Sequence, residues 1–175
     1  MRILKNKKVK NVNLEFNTYT FANYSKMDSA SKNSFDEQIE NVMKSISYDF
    51  KEIERCKNDI VIACQNGKTI VGFIHLVPFD YYNEASKNRY STKKMYVDYI
   101  AVDPSYQGFG IATNLYKIAI NDLIKSGETK ELSAVLLDEY SRKAFVKTAK
   151  MFNLKMNDAT LDGSITASFD DLQKE

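Results

Sequence analysis

The chain has one histidine, two cysteines, two prolines, six glycines and no tryptophan in 175 residues. Each scarcity removes a class of function. A single imidazole, His75, argues against an all-protein zinc site or a two-histidine metal centre. Cys56 and Cys64 lack CxxC spacing and read as reduced, partly buried thiols rather than a disulfide framework. A net charge of +2 is too weak a field to draw the chain onto nucleic acid or an anionic membrane. No apolar run reaches the length of a membrane span. The basic first residues (Arg2, Lys5, Lys7, Lys8, Lys10) read as a solvated segment, with no apolar stretch behind them to make a signal peptide. The expectation is a cytoplasmic protein, monomer or homodimer, with no metal, no nucleic acid and no membrane among its partners.

What is present is a hydrophobic fraction of 43% and a charged fraction of 27%, the composition of a globular domain with a real core. No linker or repeat divides residues 1–175, so one domain is expected. A first strand is expected at Leu14, Glu15 and Phe16, followed by a polar, irregular stretch over 17–33. Ser34-Phe35-Asp36-Glu37 then reads as a capping box. Phe35, Ile39, Val42, Met43, Ile46, Phe50 and Ile53 continue it at helical spacing as a core stripe. "DIVIACQ" and "KTIVGFIHLV" flank Asn66-Gly67, a strong hairpin signal. A turn centred on that pair would set Cys64 opposite Thr69 and His75 opposite Asn58. The two are not cross-strand partners, and His75 reads as a satisfied or surface histidine. A tyrosine-rich connection over 79–93 leads to a strand, "KMYVDYIAV". A helix follows over 111–125 and a short apolar strand, "SAVLL", over 133–137. A last helix spans 141–151, and "NLKM" and "SITASFD" close the chain. This order predicts an α/β or α+β fold with a mixed sheet.

The chemistry is concentrated in "IAVDPSYQGFGIATNLYKIAINDLIKSG", residues 100–127. Two of the scarce glycines, Gly108 and Gly110, stand at the mouth of a helix, where unpaired amides and the positive dipole end make a ready anion site. The Walker pattern does not match, and a dinucleotide fingerprint fails because Thr113 occupies its third glycine position. What remains is Gln-x-x-Gly-x-Ala, at Gln107, Gly110 and Ala112, behind a strand ending in Asp103-Pro104.

This motif resembles the pyrophosphate-binding loop of the GNAT superfamily of acetyl-CoA-dependent N-acetyltransferases. The match is strong over 95–127 and looser over 34–156. It implies a central mixed, mostly antiparallel sheet with helices on both faces and a splayed strand pair. It implies acetyl-CoA as co-substrate, with Ile100, Ala101 and Val102 pairing through their backbone with the pantetheine arm and thioester. The amides of Gln107, Gly108, Phe109, Gly110, Ile111 and Ala112 would hold the pyrophosphate, and Ser141 would contact the cofactor from the last helix. Many members carry Asn, Ala and Tyr along that helix, the Tyr serving as acid. Here the same frame holds Ser141, Ala144 and Thr148, and Tyr140 is the nearest substitute acid.

Strand alternation places Tyr96, Asp98 and Ile100 on one face. Asp98 is the expected general base and Glu139 the second candidate. The expected activity is transfer of an acetyl group to a primary amine by direct attack, with a non-catalytic acyl-CoA-binding module as the alternative. The segments 17–33 and 79–93, with Asp80, Tyr81, Tyr82 and Glu84, are the expected walls of the acceptor pocket.

Overall fold

The computed structural model describes residues 12–48, 52–80, 92–135, 138–158 and 164–169. Strand β1 (Leu14–Thr20) ends where the Thr20 hydroxyl accepts the Asn23 amide and turns the chain into the short helix α1 (Phe21–Ser25). Helix α2 (Ser29–Ser45) begins at Asp28, whose carboxylate accepts the Ser31 amide at 2.9 Å. The stretch 17–33 is therefore a strand end, a helix and the first turn of another. The Ser34 capping box is overruled because Asp28 already serves as N-cap one and a half turns earlier. Ile46 closes α2 and Ser47 turns left-handed at φ 59°. Phe50, expected on the same stripe, lies outside the described residues, as do Tyr81, Tyr82 and Glu84 of the long connection.

β2 (Ile60–Asn66) and β3 (Thr69–Pro78) form the expected hairpin in a different register. Asn66 pairs with Thr69, so Gly67 and Lys68 occupy the turn. A bulge between Cys64 and Gln65 then adds a further step. Cys64 faces Gly72 and His75 faces Val61, not Thr69 and Asn58. Both thiols are buried, and burial pushes Cys64 up to about 11. β4 (Lys94–Val102) runs through a 3-10 turn (Pro104–Tyr106) into α3 (Ile111–Ser126). β5 (Glu131–Val135), α4 (Glu139–Met151), β6 (Lys155–Asp158) and β7 (Ser164–Ser168) follow. Leu136 and Leu137 of the expected "SAVLL" strand fall outside the described residues.

The seven strands form one sheet in the order β1-β2-β3-β4-β5-β7-β6. Every neighbouring pair is antiparallel except β4 with β5. On one face Leu115, Tyr116, Ala119, Phe145 and Ala149 of α3 and α4 pack on Ile74, Leu76, Met95, Val97 and Leu132. On the other, Phe35, Ile39, Val42 and Met43 of α2 cover Val61, Ala63, Ile70, Phe73 and Ala101. This is the mixed α/β architecture the motif implied. Among the described residues no helix is long and apolar enough to cross a membrane.

One irregularity in β4 matters for the site. His75 pairs with Tyr99 while Leu76 pairs with Val97, leaving Asp98 as an extra residue in a bulge. Above it Met95 and Val97 face α3 and α4. Below it Ile100 and Val102 do, because the parity has shifted by one. Asp98 reaches His75, on the α2 side with Tyr99. The expectation that Asp98 shares a face with Ile100 is thus wrong. Alternation holds only while the ladder is regular.

Gly72 sets how closely β3 approaches the start of α3. A Cβ there would meet Ile111 Cγ2 at 3.0 Å, the Ala101 carbonyl oxygen at 3.1 Å and Val102 Cγ2 at 3.3 Å. The carbonyl belongs to a central strand and cannot yield. Gly72→Ala should lower the unfolding free energy by about 1–3 kcal/mol, the range for overpacking, measured by urea denaturation. An unchanged midpoint would show that Ile111 and the strand relax freely around the methyl.

Candidate functional site

β4 and β5 part company. Their parallel ladder covers residues 94–97 against 131–134 and stops, while β5 stays paired with β7 on its other side through Val135 and Ser164. From Asp98 to Val102 β4 has β3 on one side and, among the described residues, no strand on the other. The Asp103 amide donates to the Val71 carbonyl at 2.9 Å. Counting back along an antiparallel ladder, Ala101 and Tyr99 also direct their backbone groups to β3, while Ile100 and Val102 direct theirs into the gap. Gln107 Nε2 donates to the gap-facing carbonyl of Val102 at 3.2 Å.

The gap opens into a cleft of about 860 Å³. Its floor is Ile100, Ala101 and Val102 of β4. One end is the turn into α3, where Gly108 and Gly110 adopt φ of 89° and 76°. Left-handed backbone of this kind favours glycine. A Cβ at either position would meet no protein atom within 4 Å, so open space lies over the turn. The first α3 bond to this turn is the Asn114 amide to the Gly110 carbonyl. The amides of residues 108–113 have no acceptor among the described residues, as the first turn of a helix leaves them.

The opposite wall is α4, whose N-cap Asp138 accepts the Ser141 amide at 2.8 Å. Tyr140, Ser141, Lys143, Ala144 and Lys147 line the cleft from this helix. At the far side Ile46, from the end of α2, also lines it, so the cleft passes around β4 to the α2 face of the sheet.

Of the thirteen expected site residues ten line the cleft and three do not; Asp98, on the α2 face beside His75, is one of those outside the lining. Ile100, Ala101, Val102, Gln107, Gly108, Gly110, Ile111, Ala112, Ser141 and Tyr140 all line the cleft. Phe109 is in the same turn, but its side chain is 46% exposed and outside the lining. Glu139 lies outside the lining as well, although it pairs at 2.7 Å with Lys143, which lines the cleft. Being one residue from Tyr140, it sits about 100° around the helix. Thr148 is buried and donates to the Ala144 carbonyl at 2.8 Å, so the position where the resemblance implied a tyrosine acid holds none here.

A strand edge opened at a parallel pair, with a glycine turn and helix N-terminus at its end, is the arrangement the motif predicted. The sequence matches the acetyltransferase (GNAT) family over residues 25–149. The chain belongs to that family. As a GNAT-family acetyltransferase it is an acyl-CoA-dependent transferase.

Solved structures of similar fold include diaminobutyrate acetyltransferase EctA from Paenibacillus lautus, in complex with L-2,4-diaminobutyric acid and coenzyme A. It is 11% identical with a TM-score of 0.56 over 90% of this chain and 96% of that one. An aminoglycoside acetyltransferase from an uncultured soil metagenomic sample is 17% identical with a TM-score of 0.55, over 77% and 86%. The ribosomal-protein-S18-alanine N-acetyltransferase from Escherichia coli is 12% identical with a TM-score of 0.53, over 89% and 92%. These likenesses are of fold. No curated protein sequence matches the chain.

The GNAT cleft holds residues that sequence reasoning missed. Lys143 and Lys147 add positive charge to the α4 wall. Tyr140, Lys143, Ala144 and Lys147 stand at i, i+3, i+4 and i+7, so a helical projection could have found them. Ile46 had no such signal, because it reaches the cleft through tertiary packing alone.

His75 is the satisfied histidine the sequence allowed for, but its partners carried no signal in the chain. It is fully buried, with Nδ1 3.1 Å from Asp98 Oδ2 and Nε2 3.2 Å from Asp59 Oδ2. Asp59 in turn accepts from Arg55 Nε at 2.6 Å and Nη2 at 2.9 Å. Burial alone would lower the His75 pKa, but the two carboxylates outweigh it and hold it above its ordinary 6.5. Burial alone would raise Asp59, but hydrogen bonds and charge from His75 and Arg55 hold it below 3.8.

These directions set the pH dependence of stability. A raised histidine contributes fully below 6.5, and that contribution is lost as pH rises through its folded pKa. A depressed carboxylate contributes above 3.8 and is lost as pH falls through its folded pKa. Thermal unfolding should therefore show a decline on the alkaline side that His75→Gln removes. A decline of the same size in that variant would assign it to other groups.

Proposed function

We propose that this chain transfers an acetyl group from acetyl-CoA to a primary amine by direct attack, with acetyl-CoA lying along the opened edge of β4. The observation that carries the reading is the continuity of that edge with the unengaged amides of residues 108–113. The protein's own residues fit such a ligand. The gap-facing groups of Ile100 and Val102 suit the amide-bearing pantetheine arm, as an added strand would. The amides of Gly108, Phe109, Gly110, Ile111 and Ala112, at the positive end of α3, suit a pyrophosphate. Lys143 and Lys147 supply countercharge, and Ser141 a hydroxyl.

Acetyl-CoA brings an acyl group already activated as a thioester. The protein is left with orientation, proton transfer and charge stabilisation. The amine enters from the α2 side, where Ile46 lines the cleft and the Tyr48 ring meets Tyr99 edge-on at 6.1 Å. Asp98, on that face, takes the ammonium proton and leaves the nitrogen lone pair free to attack. The amide of Ile100 or Val102 donates to the carbonyl oxygen as charge develops on it. The C–N bond forms, the C–S bond breaks, and the sulfur acquires a proton. With Thr148 bonded into its own helix, Tyr140 at the cleft wall is the nearest phenol for that proton. Its 84% exposure leaves it free to swing.

Acetyl-CoA or CoA should raise the melting temperature and ATP should not. At a hundredfold excess over its dissociation constant a ligand adds about 2.7 kcal/mol. No shift at millimolar CoA would remove the cofactor assignment. A shift with no acetylated product across a panel of amines would favour the alternative, an acyl-CoA-binding module without turnover. Gly110→Asn keeps a residue that tolerates left-handed backbone but places a side chain in the open space over the turn. CoA affinity should fall at least about tenfold, and normal affinity in the folded variant would make the glycine a packing residue.

Asp98→Asn preserves shape while removing the proton acceptor. Turnover should fall by about a hundredfold or more, with CoA affinity nearly unchanged. Turnover within about threefold of wild type would move the base elsewhere.

A further inference from the structure

Behind Asp98 runs a row of side chains to which the transfer reaction gives no task. It continues from Asp98 to His75, Asp59 and Arg55, each within 3.2 Å of the next. Arg55 is braced further by the Tyr19 carbonyl at 3.0 Å and by the Tyr24 ring, 4.4 Å from its guanidinium carbon. The Cys56 amide also donates to Asp59 at 3.1 Å. Side-chain exposure is zero at Asp59 and His75, 4% at Arg55 and 10% at Asp98. The row is sealed except at its Asp98 end.

Both ring nitrogens of His75 face carboxylate oxygens. An ionised carboxylate only accepts hydrogen bonds, so each nitrogen must carry a proton for both contacts to be made. The row then alternates in charge, carboxylate, imidazolium, carboxylate, guanidinium, and sums to zero. Such a buried row is expensive to desolvate, and an apolar core of the same volume is often as stable. Packing alone does not call for it.

We propose that His75 is the positioning residue of the transfer site: gripped from behind by Asp59 and Arg55, it fixes the Asp98 carboxylate beside the acceptor amine. The proposal rests on the reading of Asp98 as the base. Alternation from Val97 already turns Asp98 away from α3 and α4 toward His75, and the bulge then returns Ile100 and Val102 to the cleft face. In the reaction one ammonium proton moves to Asp98 and later to solvent, while His75 and Arg55 keep theirs throughout. The charged and titratable groups around His75 are Asp98 and Tyr99 on β4, Asp59 ahead of β2, and Arg55 and Cys56 in the segment before it. Burial pushes Cys56 up to about 12 and also raises Tyr99, so neither competes for the role of switch near neutral pH.

Because His75 is the one histidine of the chain, selective 15N-histidine labelling of the untagged protein reports a single imidazole by NMR. Both nitrogens should be protonated at pH 7, and the alkaline fall in kcat should track the loss of that proton. In folded His75→Gln, kcat should drop about tenfold or more while the Kd for CoA holds within about twofold. The alkaline limb should disappear from its pH profile, because no imidazole remains to lose a proton. A neutral imidazole at pH 7 would overturn the proposal, as would an alkaline limb independent of the His75 titration. So would a folded His75→Gln with the wild-type kcat and pH profile. If that variant does not fold, the comparison of titration with rate in the wild-type protein decides alone. An impaired Asp98→Asn beside an unaffected His75→Gln would bring down only the role given to His75. Full turnover in Asp98→Asn would bring down the base itself.

Discussion

One extra residue in β4 governs the arrangement of this protein. Asp98 has no counterpart on β3, and the bulge it makes reverses which side chains face which layer. Upstream, Met95 and Val97 anchor the sheet to α3 and α4; downstream, Ile100 and Val102 take over that face and line the cleft. The same residue marks where β5 leaves, since the parallel ladder ends at Val97. A bulge adds local twist and bends its strand, which is a physical reason for two neighbouring strands to diverge there. The carboxylate is delivered to one side of the sheet and the open strand edge begins beside it.

The stretch from β4 into α3 was legible because its signals are local. Asp103-Pro104 ends the strand, Gly108 and Gly110 make left-handed turns that other residues resist, and Lys125 with Gly127 closes the helix. Cap competition was less legible. Ser34 to Glu37 has the pattern of a helix start, yet Asp28 starts the helix first, and nothing local ranks the two. Registers were the least legible. One bulge and a displaced hairpin turn separate His75 from the residue expected opposite it. Arg55, Asp59, His75 and Asp98 meet through tertiary structure, and no spacing in the chain announces them.

The contrast between the two polar regions is physical. The cleft is built mainly from backbone groups that secondary structure leaves over: helix N-terminal amides and one strand edge. They exist wherever strand, turn and helix follow in that order, so a short motif is enough to reveal them. The row behind Asp98 is built from side chains that satisfy one another. Its members cost free energy unless all are present and aligned, and its coherence belongs to the tertiary structure.

The short β4–β5 ladder has a mechanical consequence. It divides the sheet into a block of β1 to β4 and a block of β5 to β7, joined across the seam by four residue pairs and by the helices that overlie it. Beyond Val97 the two blocks are joined, among the described residues, by helix packing and not by a strand ladder. The space between the parted strand ends runs from the glycine turn to the α4 wall, so a long, thin molecule that filled it would touch both blocks at once.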